Sequence, residues 1–351
     1  MPFRALAGHR RLTALLSRAI SRGTLPPTLL FTGPAGVGKW RTAVATAQTL
    51  NCLAPVQPAS AAESAVAGDA SRASLQTDAC GECRACDRIA RGMHVDVLAI
   101  QPDDKASIKI DVIRDVLSRT SYRPFEGKRR VVLIREAETL EVASQNALLK
   151  SLEEPPPATV FILTTAVPGA LLGTVRSRAM ALRFGRLTPE EVSALLIRDH
   201  EQTESDARAL AALADGSVGQ ALDLGASDVS VLRETALLLL QQTAARSDAQ
   251  ARLQVAAAVV GGPAKKERSR EDLAVILRLT ASMLRDIEAI NSGADPRVLA
   301  NPVVAGDLHQ LARSFAGDRA RSAFGAVDRA LFALDRNAGA KVVTEWLSMH
   351  I

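Results

Sequence analysis

A glycine-rich segment of the sequence carries the first residues whose types and spacing could do chemistry. Residues 33–39 read GPAGVGK, between an apolar run and a helical stretch. In a phosphate-binding loop of this pattern, glycines let backbone N–H groups turn toward phosphate oxygens, the start of the helix adds positive potential, and the lysine reaches the terminal phosphates. The candidate nucleotide-binding residues are therefore Gly33, Gly36, Gly38 and Lys39.

The positions that would hold a magnesium ion in such a site carry unsuitable side chains. Trp40 stands where the motif needs a Ser or Thr hydroxyl, and its indole offers no lone pair to a hard cation. After the apolar run at 130–134, Arg135 replaces a metal-binding aspartate, whereas Glu136 occupies the position that activates water. Because phosphoryl transfer depends on magnesium, we predict that the chain has no Mg²⁺ site and does not hydrolyse ATP by itself. The sequence leaves open whether ATP still binds.

All four cysteines of the chain belong to a second candidate site. Cys80, Cys83 and Cys86 follow the spacing CxxCxxC, and Cys52 lies just beyond the helical stretch that begins at the glycine-rich loop. Four thiolates suit a closed, tetrahedral Zn²⁺ site with a structural role. An iron–sulfur cluster is the alternative, but the CxxxCP continuation of ferredoxin sequences is missing and the fourth cysteine lies far upstream. We therefore predict one structural zinc ion that joins this segment to the end of the helix.

The elements that must position these residues follow from the pattern of apolar runs. Runs typical of buried strands alternate with helical stretches up to residue 184, which predicts an α/β domain with a mostly parallel sheet. We expect strands at 28–32, 95–100, 130–134, 160–164 and 180–183, and helices at 9–22, 39–50, 111–119 and 141–153. Residues 54–79 are rich in Ala, Ser and Pro and predict a flexible insertion. From Thr188 onward the pattern is helical.

The composition indicates an ordinary globular protein. The 351 residues include 43 Lys and Arg against 38 Asp and Glu, and the net charge of +5 suits contact with a polyanion without demanding it. The apolar runs fall short of the roughly 18 residues that a membrane span needs, and the first residues lack the apolar core of a signal peptide. We expect a cytoplasmic protein without membrane contact, whose cysteines stay reduced.

The order of the motifs resembles the clamp-loader branch of the AAA+ family. Besides the loop and the cysteines, the resemblance rests on NALLKSLEEPP at 146–156, a strand ending in Thr164-Thr165, and TVRSRAMAL at 174–182. It covers residues 8–224 in its motifs and the remainder only by length and composition. It implies an AAA+ P-loop domain at 1–186 with a zinc module at 52–86, a small helical lid at 187–226, and an all-α collar domain at 227–351.

The same resemblance implies partners and a role for Arg178. In this family Ser177-Arg178 matches the first two residues of a Ser-Arg-Cys motif, here completed by Ala179, whose arginine reaches the γ-phosphate held by a neighbouring subunit. Gly219 replaces the arginine that would touch the subunit's own nucleotide. The implied partners are gamma/tau and delta clamp-loader subunits in a five-membered ring, the sliding clamp, and primed DNA. We therefore predict a non-hydrolysing stator subunit of the DNA polymerase III holoenzyme that acts in DNA replication.

Alternatives remain at this stage. An arginine after a strand, taken alone, is more often half of a surface ion pair. The chain could instead be an active gamma/tau-type motor ATPase, if Trp40 and Arg135 are tolerated. Lys105, Lys109 and Arg114 could contact a phosphate backbone or form a solvated helix face, and the two interpretations carry equal weight.

Overall fold

The computed structural model of the chain describes residues 1–57, 75–102, 107–225, 229–245, 248–261, 268–336 and 338–351. These residues divide into two compact units, Met1–Leu187 and Thr188–Ile351. Residues 58–74 of the predicted insertion and Lys105 lie outside the described part of the chain. The predicted separation of lid and collar at 226/227 stays a prediction.

A parallel five-stranded sheet forms the centre of the first unit. Its strands are β1 Thr28–Thr32, β2 Val97–Ile100, β3 Arg130–Ile134, β4 Thr159–Thr165 and β5 Met180–Arg183. They pair in the order β2-β3-β4-β1-β5, and every pairing is parallel. The predicted strand at 95–100 begins two residues late, because the N–H of Asp96 bonds to Nδ1 of His94 in a turn. The predicted fold class, a parallel α/β domain followed by a helical region, is confirmed.

Helices cover both faces of this sheet. They are α1 Arg10–Ser21, α2 Lys39–Asn51, α3 Arg84–Ala90, α4 Ile110–Thr120, α5 Val142–Glu153 and α6 Gly173–Arg176. Side chains alternate along β1, so that Phe31 lies in one core with Leu16 and Ala43, whereas Leu30 lies in a second core with Leu148. Burial of each such large side chain stabilises the fold by about 1.5–3 kcal/mol. Helix α3 is absent from our sequence prediction, which places no helix between residues 50 and 111.

The sheet brings the chemically interesting segments to one edge. Because β1, β3 and β4 run parallel, their carboxyl ends meet, and ligands of such sheets bind beside these ends. The glycine-rich loop follows β1, Arg135 follows β3, and Thr165 ends β4. Segments that lie about 100 residues apart in the sequence are thereby placed around one corner.

A buried ion pair fixes the loop at 121–129 in front of β3. Nη2 of Arg130 lies 2.9 Å from Oδ1 of Asp96, and the two side chains are only 7% and 0% exposed. Asp96 also accepts three consecutive N–H groups of the loop, and Arg130 donates to backbone carbonyls of the same loop. Burial alone would raise the pKa of Asp96, but these N–H donors and Arg130 outweigh it and lower the pKa to about 2.

The second unit is helical throughout its described residues. Its helices are α7 Pro189–His200, α8 Glu204–Leu213, α9 Val218–Leu224, α10 Val229–Ala244, α11 Ala249–Val260, α12 Arg270–Asn291, α13 Ala305–Ala312, α14 Asp318–Asp335 and α15 Ala340–His350. Four arginines donate to backbone carbonyls near the C-terminal ends of helices, which satisfies acceptors that a helix leaves unpaired. Arg252 donates to α15, Arg268 to α11, Arg270 to α14 and Arg319 to α10. A pair between Arg233 and Asp206 joins α10 to α8.

None of the helices in the described ranges is both long enough and apolar enough to cross a membrane.

Candidate functional sites

The glycine-rich loop lies between β1 and α2, in the setting that a phosphate-binding loop requires. Gly33, Gly36 and Gly38 have φ angles of 142°, 71° and 101°. These left-handed conformations suit glycine and expose N–H groups on one side of the loop. A Cβ on Gly33 would lie 2.2 Å from the carbonyl oxygen of Phe184, so that no larger residue fits there without a shift of the backbone. The backbone conformation of this loop is therefore compatible with a phosphate cradle.

Lys39 is bound by the loop itself. Its Nζ donates to the carbonyl oxygens of Gly33, at 2.6 Å, and Pro34, at 2.5 Å, and the residue is 8% exposed. Burial lowers the pKa of Lys39, while the charges of Glu138 and Glu136 act in the opposite direction. The ammonium would have to leave these carbonyls to reach a phosphate.

Trp40 and Arg135, which our sequence analysis treated as two separate losses, contact each other. The guanidinium carbon of Arg135 lies 5.9 Å from the centre of the Trp40 ring, within the range of a cation–π interaction. Nε of Arg135 also lies 3.2 Å from Oε1 of Glu136. Trp40 and Arg135, for which the sequence predicts the loss of magnesium ligands, and Glu136 thus form one cluster around the guanidinium of Arg135.

Two further residues at this corner carry no recognisable signal in the sequence. Glu138 accepts the N–H of Ala166, just beyond β4, and its second carboxylate oxygen is buried with no hydrogen-bond partner among the described residues. His9 contacts the carbonyl of Val37 through Nε2, at 2.8 Å. Because these contacts join segments about 28 residues apart, spacing along the sequence could not reveal them.

The four cysteines meet, as we predicted. All four Sγ atoms lie within 4.8 Å of one another, with Cys52 and Cys80 at 3.5 Å and Cys80 and Cys86 at 3.9 Å. A tetrahedral zinc ion with Zn–S bonds of about 2.3 Å separates its sulfur ligands by roughly 3.8 Å. A disulfide would need about 2.05 Å. The donor set and its spacing therefore fit a zinc ion.

The cysteine cluster connects several parts of the first unit. Gln48 of α2 donates from Nε2 to the carbonyl of Cys86, at 2.7 Å, and Lys128 donates from Nζ to the carbonyl of Cys52, at 3.1 Å. Arg4 donates to the carbonyl of Cys80, at 2.8 Å. The cluster thus holds together the end of α2, the loop at 121–129 and the segment before α1.

The electrostatic environments of the thiols differ. Burial raises the pKa of Cys52 and of Cys86. Burial would also raise the pKa of Cys83, but N–H groups, first that of Cys86 and then that of Leu53, outweigh it and lower the pKa to about 6. The N–H donors thus favour the thiolate of Cys83, whereas burial favours the protonated thiols of Cys52 and Cys86, which lose their protons when they become metal ligands.

Arg178 follows α6 and is paired within its own chain. Its Nε and Nη2 both lie 2.9 Å from Oε2 of Glu153, the last residue of α5, and its Nη1 donates to the carbonyl of Thr174 at 3.1 Å. Ser177 donates from Oγ to the same carbonyl. Ala179 packs against the core that contains α5, which anchors the backbone of this turn. The guanidinium stays about one-third exposed, so that another chain can reach it.

Comparison with known proteins relates the chain to bacterial replication. Residues 8–188 match the protein family described as DNA polymerase III, delta subunit. The tau subunit of DNA polymerase III from Escherichia coli (strain K12) is 31% identical over 261 residues, which cover 74% of this chain and 36% of that protein. The delta' subunit from Pseudomonas aeruginosa is 37% identical over 168 residues, which cover 48% of this chain and 45% of that protein. The chain thus spans less than half the length of these two relatives, and both kinds of subunit resemble it.

Proposed function

The chain belongs to the DNA polymerase III delta subunit family of clamp-loader proteins, and from that premise we propose that it is a delta-prime-type stator. In this role the chain does not hydrolyse ATP, and it supplies Arg178 to the ATP site of a neighbouring subunit. The observation that carries the proposal is the cluster of Trp40, Arg135 and Glu136 at the carboxyl ends of the strands.

The chemistry of that cluster opposes hydrolysis. A guanidinium beside the glycine-rich loop repels a magnesium ion, and the Trp40 indole cannot replace the hydroxyl ligand. One oxygen of Glu136 is paired with Arg135, which neutralises part of the negative charge with which this carboxylate would orient a water molecule. Gly33, Gly36, Gly38 and Lys39 remain able to bind phosphate without hydrolysis once Lys39 leaves the loop carbonyls.

The four cysteines hold one structural Zn²⁺ in this proposal. When bound, the ion supplies a cross-link between α2 and the segment at 80–86 and leaves no ligand position open for chemistry. The thiolate donor set and the sulfur separations support zinc, and metal analysis distinguishes it from an iron–sulfur cluster.

The partners follow from the family. The chain occupies one place in a ring with gamma/tau and delta subunits, which opens the sliding clamp and places it on primed DNA in the cytoplasm. Residues 187–226 act as the lid of the AAA+ domain, and residues 227–351 form the collar that joins the ring. Arg178, supported by Ser177, is the group that acts on a neighbour.

The alternative is an active gamma/tau-type motor ATPase, favoured by the intact backbone of the glycine-rich loop and by the 31% identity to a tau subunit. Steady-state ATP hydrolysis by the isolated chain distinguishes the stator from the motor. The chain is purified from a host strain whose own clamp-loader subunits carry an affinity tag, so that they can be removed from the preparation. The stator gives background rates with and without primed DNA. Hydrolysis that depends on magnesium and is abolished by Lys39→Ala would establish the motor instead.

A further inference from the structure

Glu153 and Arg178 form an ion pair, so that the guanidinium of Arg178 is already occupied before any phosphate binds to it. Glu153 ends α5 and Arg178 follows α6; Oε2 of Glu153 accepts the Nε–H of Arg178 at 2.9 Å, and Nη2 lies at the same distance from that oxygen. The carbonyl of Thr174 accepts an N–H from Nη1. Two of the five N–H groups of the guanidinium thus donate within the chain, and the third nitrogen, Nη2, contacts the same carboxylate oxygen as Nε.

Carboxylate and phosphate oxygens compete for the same donors. Both bind guanidinium through paired, nearly coplanar hydrogen bonds along one edge. The Nε–Nη2 edge of Arg178 is the edge that Glu153 occupies. A carboxylate that stayed there would also place negative charge beside an arriving phosphate. The pair is exposed, at 32% for Arg178 and 59% for Glu153, so that exchange needs no unfolding.

We propose that Glu153 is a positioning residue that holds Arg178 in a docked conformation until the terminal phosphate of a neighbour's ATP displaces it. This inference rests on the proposed role of Arg178 in trans. Because the carboxylate must be displaced, Glu153 weakens the contact with ATP-loaded neighbours and leaves the contact with ADP-loaded neighbours unchanged. Exposed ion pairs are weak, which sets the expected effect at roughly 1.4- to five-fold in affinity.

The experiment measures the equilibrium affinity of the full-length chain for a clamp-loader assembly that lacks it, by biolayer interferometry, with either ATPγS or ADP present. Four chains are compared: wild type, Glu153→Gln, Arg178→Ala and the double variant. Glu154→Gln is the matched control, because Glu154 is the exposed neighbour of Glu153 and its substitution removes the same charge. Circular dichroism and metal content verify that each chain is folded.

The expected result is that Glu153→Gln binds roughly 1.4- to five-fold more tightly with ATPγS only, and that the gain disappears in the double variant and shrinks at high salt. Glu154→Gln should match wild type. If Arg178→Ala weakens binding with ATPγS but Glu153→Gln does not strengthen it, the exchange is overturned while the trans role stands. If Arg178→Ala itself binds like wild type with ATPγS, the trans role fails, and the inference fails with it.

Discussion

The guanidinium of Arg135 lies 5.9 Å from the centre of the Trp40 ring, although the two residues stand 95 positions apart in the sequence. This contact means that the two altered positions form one interaction. Trp40→Thr alone would leave the cation of Arg135 beside the candidate metal site. Arg135→Asp alone would leave the bulky indole of Trp40 there. The pair therefore determines what kind of substitution could restore a metal site.

The first prediction concerns this pair. Trp40→Thr combined with Arg135→Asp should create magnesium-dependent nucleotide binding, because the double change supplies a hydroxyl and a carboxylate for the ion. Each single variant should lack it. Titration of a fluorescent ATP analogue with and without Mg²⁺ measures the effect. Magnesium dependence in the wild-type chain would contradict the assignment.

The removal of Trp40 also has a structural cost, since its ring packs against the core around β1. Replacement of a large, partly buried side chain destabilises a protein by about 2–4 kcal/mol. Thermal unfolding of all three variants must therefore accompany the titration, at a temperature where each is folded.

The second prediction concerns the metal. Protein purified without added zinc should contain close to one equivalent of zinc per chain, and Cys83→Ser should lose most of it, because three thiolates hold zinc less tightly than four. Elemental analysis measures the metal, and Glu82→Gln, at an exposed position in the same segment, is the control. Iron with visible absorbance, or a chain without metal, would show that the zinc assignment is wrong.

The third prediction concerns Asp96. Asp96→Asn should lower the free energy of unfolding of the first unit by about 3–5 kcal/mol at neutral pH, because Arg130 stays buried without its anion. Hydrogen exchange of the β3 amides in increasing urea measures it. Asp328→Asn, at an exposed position on α14, should change stability by less than about 0.5 kcal/mol.

The difference in unfolding free energy between wild type and Asp96→Asn should depend on pH, because the pKa of Asp96 is lowered in the folded chain. The pKa of about 2 in the folded chain lies below the value near 3.9 of an unfolded aspartate. The stabilisation by the carboxylate is therefore complete above about pH 4 and is lost as the pH falls through about 2. The difference in unfolding free energy between wild type and Asp96→Asn should be constant from neutral pH to about 4.5 and should decrease below that pH. A gap that stays constant down to pH 2 would contradict the role of Asp96.

The strands and the position of the glycine-rich loop could be predicted because they depend on local patterns. A strand buried on both faces is a continuous apolar run, and a phosphate-binding loop is a fixed spacing between a strand and a helix. The cysteine cluster could be predicted because thiols are few and their spacing is distinctive. Side-chain pairings could not be predicted, since each depends on which elements the sheet brings together.

Lys39 and Arg178 illustrate that limit. The sequence indicates which residue types stand at these positions, but not that the ammonium of Lys39 binds carbonyls of its own loop. Likewise, Glu153 and Arg178 belong to two separate motifs, and their contact follows from the way α5 and α6 pack. Helix α3 was missed because it is only seven residues long and lies within the cysteine segment, shortly after Gly81, so that it shows no extended helical period.

The trans role of Arg178 is the central claim, and the most direct test is the DNA-stimulated ATP hydrolysis and clamp-loading rate of a reconstituted complex in which only this residue is changed. Arg178→Ala should leave folding, zinc content and ring assembly at high protein concentration intact, and should lower turnover at the one served site by roughly 10³-fold. The effect on total hydrolysis is smaller because the other sites continue. Arg178→Lys should restore little, because a point charge does not reproduce the planar guanidinium.

Arg176→Ala, at an exposed position two residues away, should behave like wild type. Wild-type rates of clamp loading and hydrolysis with Arg178→Ala would contradict the claim and leave Arg178 as half of a surface ion pair with Glu153.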